Sequence, residues 1–178
     1  NFVACQWPAA IKALEKAGLK YADIQPVFLP PADARAAFER GAVDAWVIWD
    51  PFLAAVEKQT GARILADGRG TVNNFAYYLA ERGYAQKKPQ VIQALFDDST
   101  ERAQWLRANF TQAVALIAPL QGLEPEVVTQ SLRRYQFGVK PVTAAIAAEQ
   151  QKIADAFFEL KLIPKAIRIA DALPTGTR

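Results

Sequence analysis

The chain has 178 residues, a net charge of +3, and 52% hydrophobic against 22% charged residues, a globular balance and not a disordered one. Lys and Arg alternate with Asp and Glu and form no basic stripe, so nucleic acid is not an expected partner. The 178 residues hold no histidine and one cysteine, Cys5, which excludes Ser-His-Asp and Cys-His catalysis, His-containing zinc sites and an intrachain disulfide.

In chain order, Ala9 to Ala17 reads as a helix with Ile11 and Leu14 on one face, closed by Gly18. Ile24 to Leu29 reads as a short strand, in which Pro26 argues for an edge position or an irregular start. A helix from Ala32 to Arg40 ends at Gly41. Ala45 to Trp49 is a continuous apolar run, expected as a strand buried on both faces. Asp50 then predicts an N-cap and Pro51 the first position of a helix ending near Gln59, before Gly61. Further short strands are expected at Ala62 to Leu65 and Phe75 to Ala80. This alternation points to an α/β unit with parallel strands.

Beyond Arg82 the pattern turns helical. Val91 to Leu120 is expected as two helices broken near Asp97 to Thr100, followed by a helix from Pro125 to Tyr135 and a long one from Thr143 to Leu160. The tail from Ile163 to Arg178 is irregular. The expected division is a lobe over 1–80, lacking its first strand, and a mostly helical part over 81–178. No run of about 18 apolar residues is present, so no membrane-spanning helix is expected. No secretion signal opens the chain.

In a parallel sheet, ligands bind beyond the carboxyl ends of the strands, where helix N-termini offer free N–H groups and a partial positive charge. Three junctions qualify: Leu29 to Asp33, Ile48 to Pro51, and the loop Gly68 to Asn74. Their candidate ligand-binding residues are Pro31, Asp33, Trp49, Asp50, Asn73 and Asn74. Trp49 supplies a flat apolar wall with an N–H donor, and the asparagines supply amides. Simpler roles exist for each: Asp33 and Asp50 as helix caps, Asn73-Asn74 as a turn, and Trp46, three residues before Trp49, as core. Arg35 and the pair Asp97-Asp98 are expected to be solvated, and Cys5 has no basic sequence neighbour to activate it.

The run Asp23 to Phe38, then Gly41 and Val43-Asp44-Ala45-Trp46-Val47-Ile48-Trp49-Asp50-Pro51, resembles the aliphatic-sulfonate-binding proteins of ABC importers. So do Val139-Lys140-Pro141-Val142, Glu149-Gln150-Gln151, Ala154 to Phe158, and Leu162-Ile163-Pro164-Lys165. The resemblance is to a superfamily whose members take sulfonates, taurine, nitrate or thiamine precursors. It implies an α/β, type II periplasmic-binding-protein-like fold, here the second lobe plus the C-terminal helical part of the first. It implies a periplasmic or lipid-anchored extracellular protein that closes on a small organic anion between its lobes and passes it to importer membrane subunits, with no cofactor, no metal and no covalent step. One departure stands out: a Lys-Gly-Ser type turn followed by His is usual before the first helix, and Asn1 to Pro8 matches none of it. A thiamine-pyrimidine synthase shares the fold but uses a His and a Cys-rich iron site, which this chain cannot reproduce.

Overall fold

The computed structural model describes residues 2–4, 7–69, 73 and 75–173. Its contacts group into two compact units: Asn1–Tyr77 with Leu106–Gln136, and Tyr78–Trp105 with Phe137–Arg178.

The first unit is built on three short parallel strands, β1 (Phe2–Ala4), β2 (Pro26–Val27) and β3 (Ala45–Val47), in the order β2-β1-β3. Phe2 pairs with Pro26 on one side and Ala45 on the other. Pro26 therefore sits on an edge strand, as a residue without an N–H should. Sequence pattern did not mark β1, and three residues are too few to show a period. Helices α1 (Trp7–Lys16), α2 (Pro31–Glu39) and α3 (Phe52–Thr60) follow the three strands in turn. Gly61 closes α3 at φ 66°, a left-handed conformation that favours glycine. Ala34, Ala37 and Val43 form a core against Val27, Leu29, Phe38 and Trp46, so α2 is fixed on the sheet by small side chains that permit close approach.

Helices α6 (Phe110–Gln121) and α7 (Pro125–Arg134) belong to this unit. Helix α7 lies between α3 and α6. Its Val127 packs on Ala54 and Ala55 of α3, and its Val128 on Val114 and Ala118 of α6. Lys58 in the last turn of α3 pairs with Glu124 and Glu126 at the start of α7.

The second unit has no strand among its described residues. It comprises α4 (Arg82–Lys87), most of α5 (Pro89–Ala108), α8 (Ala144–Glu159) and a 3-10 turn at Ile169–Ala172. Glu81 caps α4 by accepting from the N–H groups of Gly83 (2.8 Å) and Tyr84 (2.5 Å). Thr143 caps α8 through Ile146, at 3.3 Å. The 3-10 turn is tied down at both ends. Gln151 accepts from the N–H of Ile169 at 2.8 Å and donates to the carbonyl of Ile167 at 2.9 Å, and Arg82 donates to the carbonyl of Asp171 at 2.7 Å.

Several expectations are corrected. Ala62 to Leu65 and Phe75 to Ala80 are not strands. Leu65 is 73% exposed and Leu79 93% exposed, so the apolar side chains of these runs do not cover a sheet face as strand residues would. β3 ends at Val47 and is half-buried, because the sheet has no strand beyond it among the described residues. Helix α5 runs unbroken through Asp97 to Thr100, and the break falls at Asn109. Three of the four polar side chains there are satisfied along the helix: Gln93 donates to Asp97 at 2.8 Å, Arg102 to Asp98 at 3.1 Å, and the Thr100 hydroxyl to the Phe96 carbonyl at 2.9 Å.

Val128 is 1% exposed and lies between two helices. Val128→Ala removes two methyl groups from a site with no room to collapse, and should cost about 2 kcal/mol. Urea unfolding should show this as a lower midpoint at unchanged slope.

Candidate functional site

All three strands are parallel, so their carboxyl ends share one edge of the sheet. Because β1 is central, the chain leaves it first to one side and then to the other, which makes the carboxyl end of β1 the switch point where crevices form in such sheets. The β2–α2 and β3–α3 junctions both lie at that edge. They carry Pro31 and Asp33, and Trp49 and Asp50, respectively. The residues that follow β1, Cys5 and Gln6, lie outside the described residues, as does Asn74. Asn73 is exposed and in no regular element.

At the first junction, α2 begins at Pro31 with Pro30 as its N-cap. Asp33 is therefore not the cap. It is an exposed third helical residue, where its charge favours the positive end of the helix. Arg35, expected in solvent, instead pairs with Glu39 at 2.7 Å and bonds to Gln59 at the end of α3.

The second junction is more constrained. Pro51, joined to Asp50 by a cis peptide bond, takes the N-cap position, so α3 starts one residue later than expected. Asp50 still serves the helix end: its Oδ1 accepts from the N–H of Ala54 at 3.1 Å. That carboxylate is buried, and Arg134 at the end of α7 reaches it at 3.3 Å. Arg134 also holds Glu57 at 2.6 Å, and Gln130 donates to Glu57 at 3.1 Å. The Tyr135 hydroxyl donates to the backbone carbonyl of Asp50 at 2.8 Å. Trp49 is half-buried, its ring edge-on to Phe52 with centroids 6.0 Å apart. Trp46 faces the α2 core instead, 6.0 Å from Phe38, and its Nε1 is buried without a hydrogen-bond partner among the described residues. It is a core residue, as expected.

Burial pushes the Asp50 carboxyl above the ordinary aspartate range, and the pull of Arg134 does not reverse it. The reason is geometric: Arg134 sits closer to Glu57 than to Asp50, and the Glu57 charge opposes a second one nearby. Arg134 feels burial first, which lowers its pKa, but the two carboxylates outweigh that and raise it. Tyr135 is raised by burial and by the Asp50 charge, so it stays a hydrogen-bond donor.

Sequence reasoning found Asp50 but missed Glu57, Gln130, Arg134 and Tyr135. One signal was available. Asp50 stands just before α3 and Glu57 lies inside it, and two carboxylates brought close on a surface that must be buried need a cation. Gln130 and Arg134, four apart on α7, supply the matching donors.

Two solved structures superpose closely on the chain. The periplasmic aliphatic sulphonate binding protein SsuA from Escherichia coli superposes with a TM-score of 0.89 at 39% identity, over 99% of this chain and 62% of that one. The alkanesulfonate-binding protein SsuA from Xanthomonas axonopodis pv. citri, bound to MOPS, gives 0.87 at 33% identity, over 97% and 62%. The fold is thus of the type II periplasmic-binding class, carried here in part. The model of the NMT1-like family matches residues 8–118, and the chain belongs to that family. Among curated relatives, an aliphatic sulfonates-binding protein of Escherichia coli strain K12 is 44% identical over 160 residues, which is 89% of this chain and 50% of the relative. The taurine-binding periplasmic protein of the same strain is 26% identical over 112 residues, 61% of this chain and 34% of its own. The chain therefore spans about half the length of the first of these relatives, or less.

The raised Asp50 pKa makes a prediction about pH. The folded state holds the Asp50 proton more tightly than the unfolded state, so the favourable contribution is complete at low pH and is lost as pH rises through the raised value. Asp50→Asn removes this dependence. As pH rises above the ordinary aspartate range and through the raised value, wild-type melting temperature should fall relative to that of Asp50→Asn. Parallel melting curves across that interval would contradict it.

Proposed function

We propose that the chain is the greater part of an extracytoplasmic solute-binding protein that captures an aliphatic sulfonate, or a related small organic anion, and delivers it to an ABC importer. The observation that carries this reading is the superposition of nearly all of this chain on 62% of each of two sulfonate-binding proteins. The lobe assignment goes with it as expected from the sequence: residues 1–80 are the second lobe, and the mostly helical residues 81–178 return to the first. The protein acts in the periplasm, or outside the cell on a lipid anchor, and performs no covalent chemistry.

The sheet edge suits such a ligand. A sulfonate is a weak base with three acceptor oxygens, well matched by N–H donors at helix N-termini. First-turn amides of α2, including that of Asp33, supply such donors, whereas those of Leu53, Ala54 and Ala55 in α3 are already bonded within the turn. The Asp33 carboxylate points to a backbone role for that residue, since its charge would repel an anion. Pro31 shapes the α2 start. Trp49 is the wall for the organic tail, which favours an alkanesulfonate over a bare inorganic anion. Asn73 and Asn74 are proposed to close on the ligand through their amides.

A thermal-shift series tests this. A ligand at 100 times its Kd should stabilise the fold by about 2.7 kcal/mol. Alkanesulfonates should raise the melting temperature more than taurine, sulfate, nitrate or a thiamine pyrimidine. Trp49→Ala should reduce the gain from each added methylene. A dominant response to taurine would move the assignment to that branch, and a cooperative melt unmoved by any sulfonate would refute it.

A further inference from the structure

We propose that Arg134 and Tyr135, at the C-terminal end of α7, are positioning residues that set the Trp49–Asp50–Pro51 turn and shield the ligand from the Asp50 charge. The ligand part rests on the binding reading above.

Three hydrogen bonds converge on Asp50. Its carboxylate accepts from Arg134 (3.3 Å) and Ala54 (3.1 Å), and its backbone carbonyl accepts from Tyr135 (2.8 Å). The side chain and the peptide plane of one loop residue are thus both held by two adjacent residues 84 and 85 positions later in the chain. Docking α7 on α3 does not require these bonds. Ala54, Ala55 and Val127 supply the apolar contact, and Lys58 with Glu124 and Glu126 pins the other end of the same helix pair. The bonds to Asp50 act on the turn itself. The Asp50 carbonyl lies in the Asp50–Pro51 peptide plane, so the bond from Tyr135 orients the entry into α3, whose Phe52 ring rests against Trp49.

Charge leads to the same residues. A bare carboxylate at the sheet edge would repel an anion. Arg134 answers that charge, and Glu57 with Gln130 keeps the guanidinium from turning away. A group that both orients the turn and neutralises its one buried acid controls which ligands the edge accepts.

The test compares Tyr135→Phe, Arg134→Lys, Arg134→Met and the control Lys58→Met with wild type, in the full chain. Two readouts are used: backbone hydrogen exchange over residues 48–55 relative to the α6 core around Val114, and titration with a short alkanesulfonate. Tyr135→Phe deletes one hydrogen bond and should speed exchange in 48–55 about fivefold more than in α6, the worth of about 1 kcal/mol. Arg134→Lys keeps the charge but not the fork, so it should loosen the turn and retain more sulfonate affinity than Arg134→Met. Lys58→Met should change neither ratio nor affinity. Exchange that rises equally in both segments, or not at all, overturns the proposal. So does a locally loosened turn with wild-type affinity. If wild type binds no sulfonate, the binding reading fails, while the exchange ratio still decides whether the clamp exists.

Discussion

A carboxylate buried at the end of a strand must find a cation or stay protonated, and Asp50 is such a carboxylate. Much of the first unit follows from how it is answered. The cation comes from α7, so α7 must lie along α3. Arg134 reaches Asp50 only because Val127 seats α7 on Ala54 and Ala55, residues small enough to let the helices approach closely. Helix α6 then packs on the far side of α7 through Val114 and Ala118. The helical pair Phe110–Gln121 and Pro125–Arg134 is thereby joined to the sheet-bearing unit, although the chain between Tyr78 and Trp105 belongs to the other one.

Local chemistry was legible where it acts alone. Gly18, Gly41 and Gly61 each take positive φ after a helix, Pro26 falls on an edge strand, and Pro125 and Thr143 mark helix starts. These signals depend on a residue's own backbone freedom or missing N–H. Errors came where the outcome depends on a distant partner. Phe75 to Ala80 has strand composition, but a strand exists only when another pairs with it. Asp97 to Thr100 has the composition of a break, but Gln93 and Arg102, one turn away on either side, satisfy it within the helix.

The candidate site divides in the same way. The two helix-start junctions at the sheet edge could be placed from strand–helix alternation alone, and Trp46 and Trp49 were correctly separated into core and edge. What could not be read was that Asp50 is already engaged. Its partners lie 84 and 85 residues away, and sequence spacing says nothing about which helix returns to it. The resemblance to sulfonate-binding proteins supplied a class of ligand that no residue pattern could have, since neutral amide donors at helix ends suit many anions equally.

In the second unit, a single glutamine amide bonds to the carbonyl of Ile167 and the N–H of Ile169, mimicking one rung of a ladder between two chains. Both partners are main-chain groups, which every residue but proline provides. The side chains at 167 and 169 are therefore free to vary without loosening this attachment, whereas position 151 is not: shortening it to Asn would withdraw both bonds together. A segment that carries its own strand pairing would spread that requirement over several residues. Here it rests on two side chains, Gln151 at one end and Arg82 at the other.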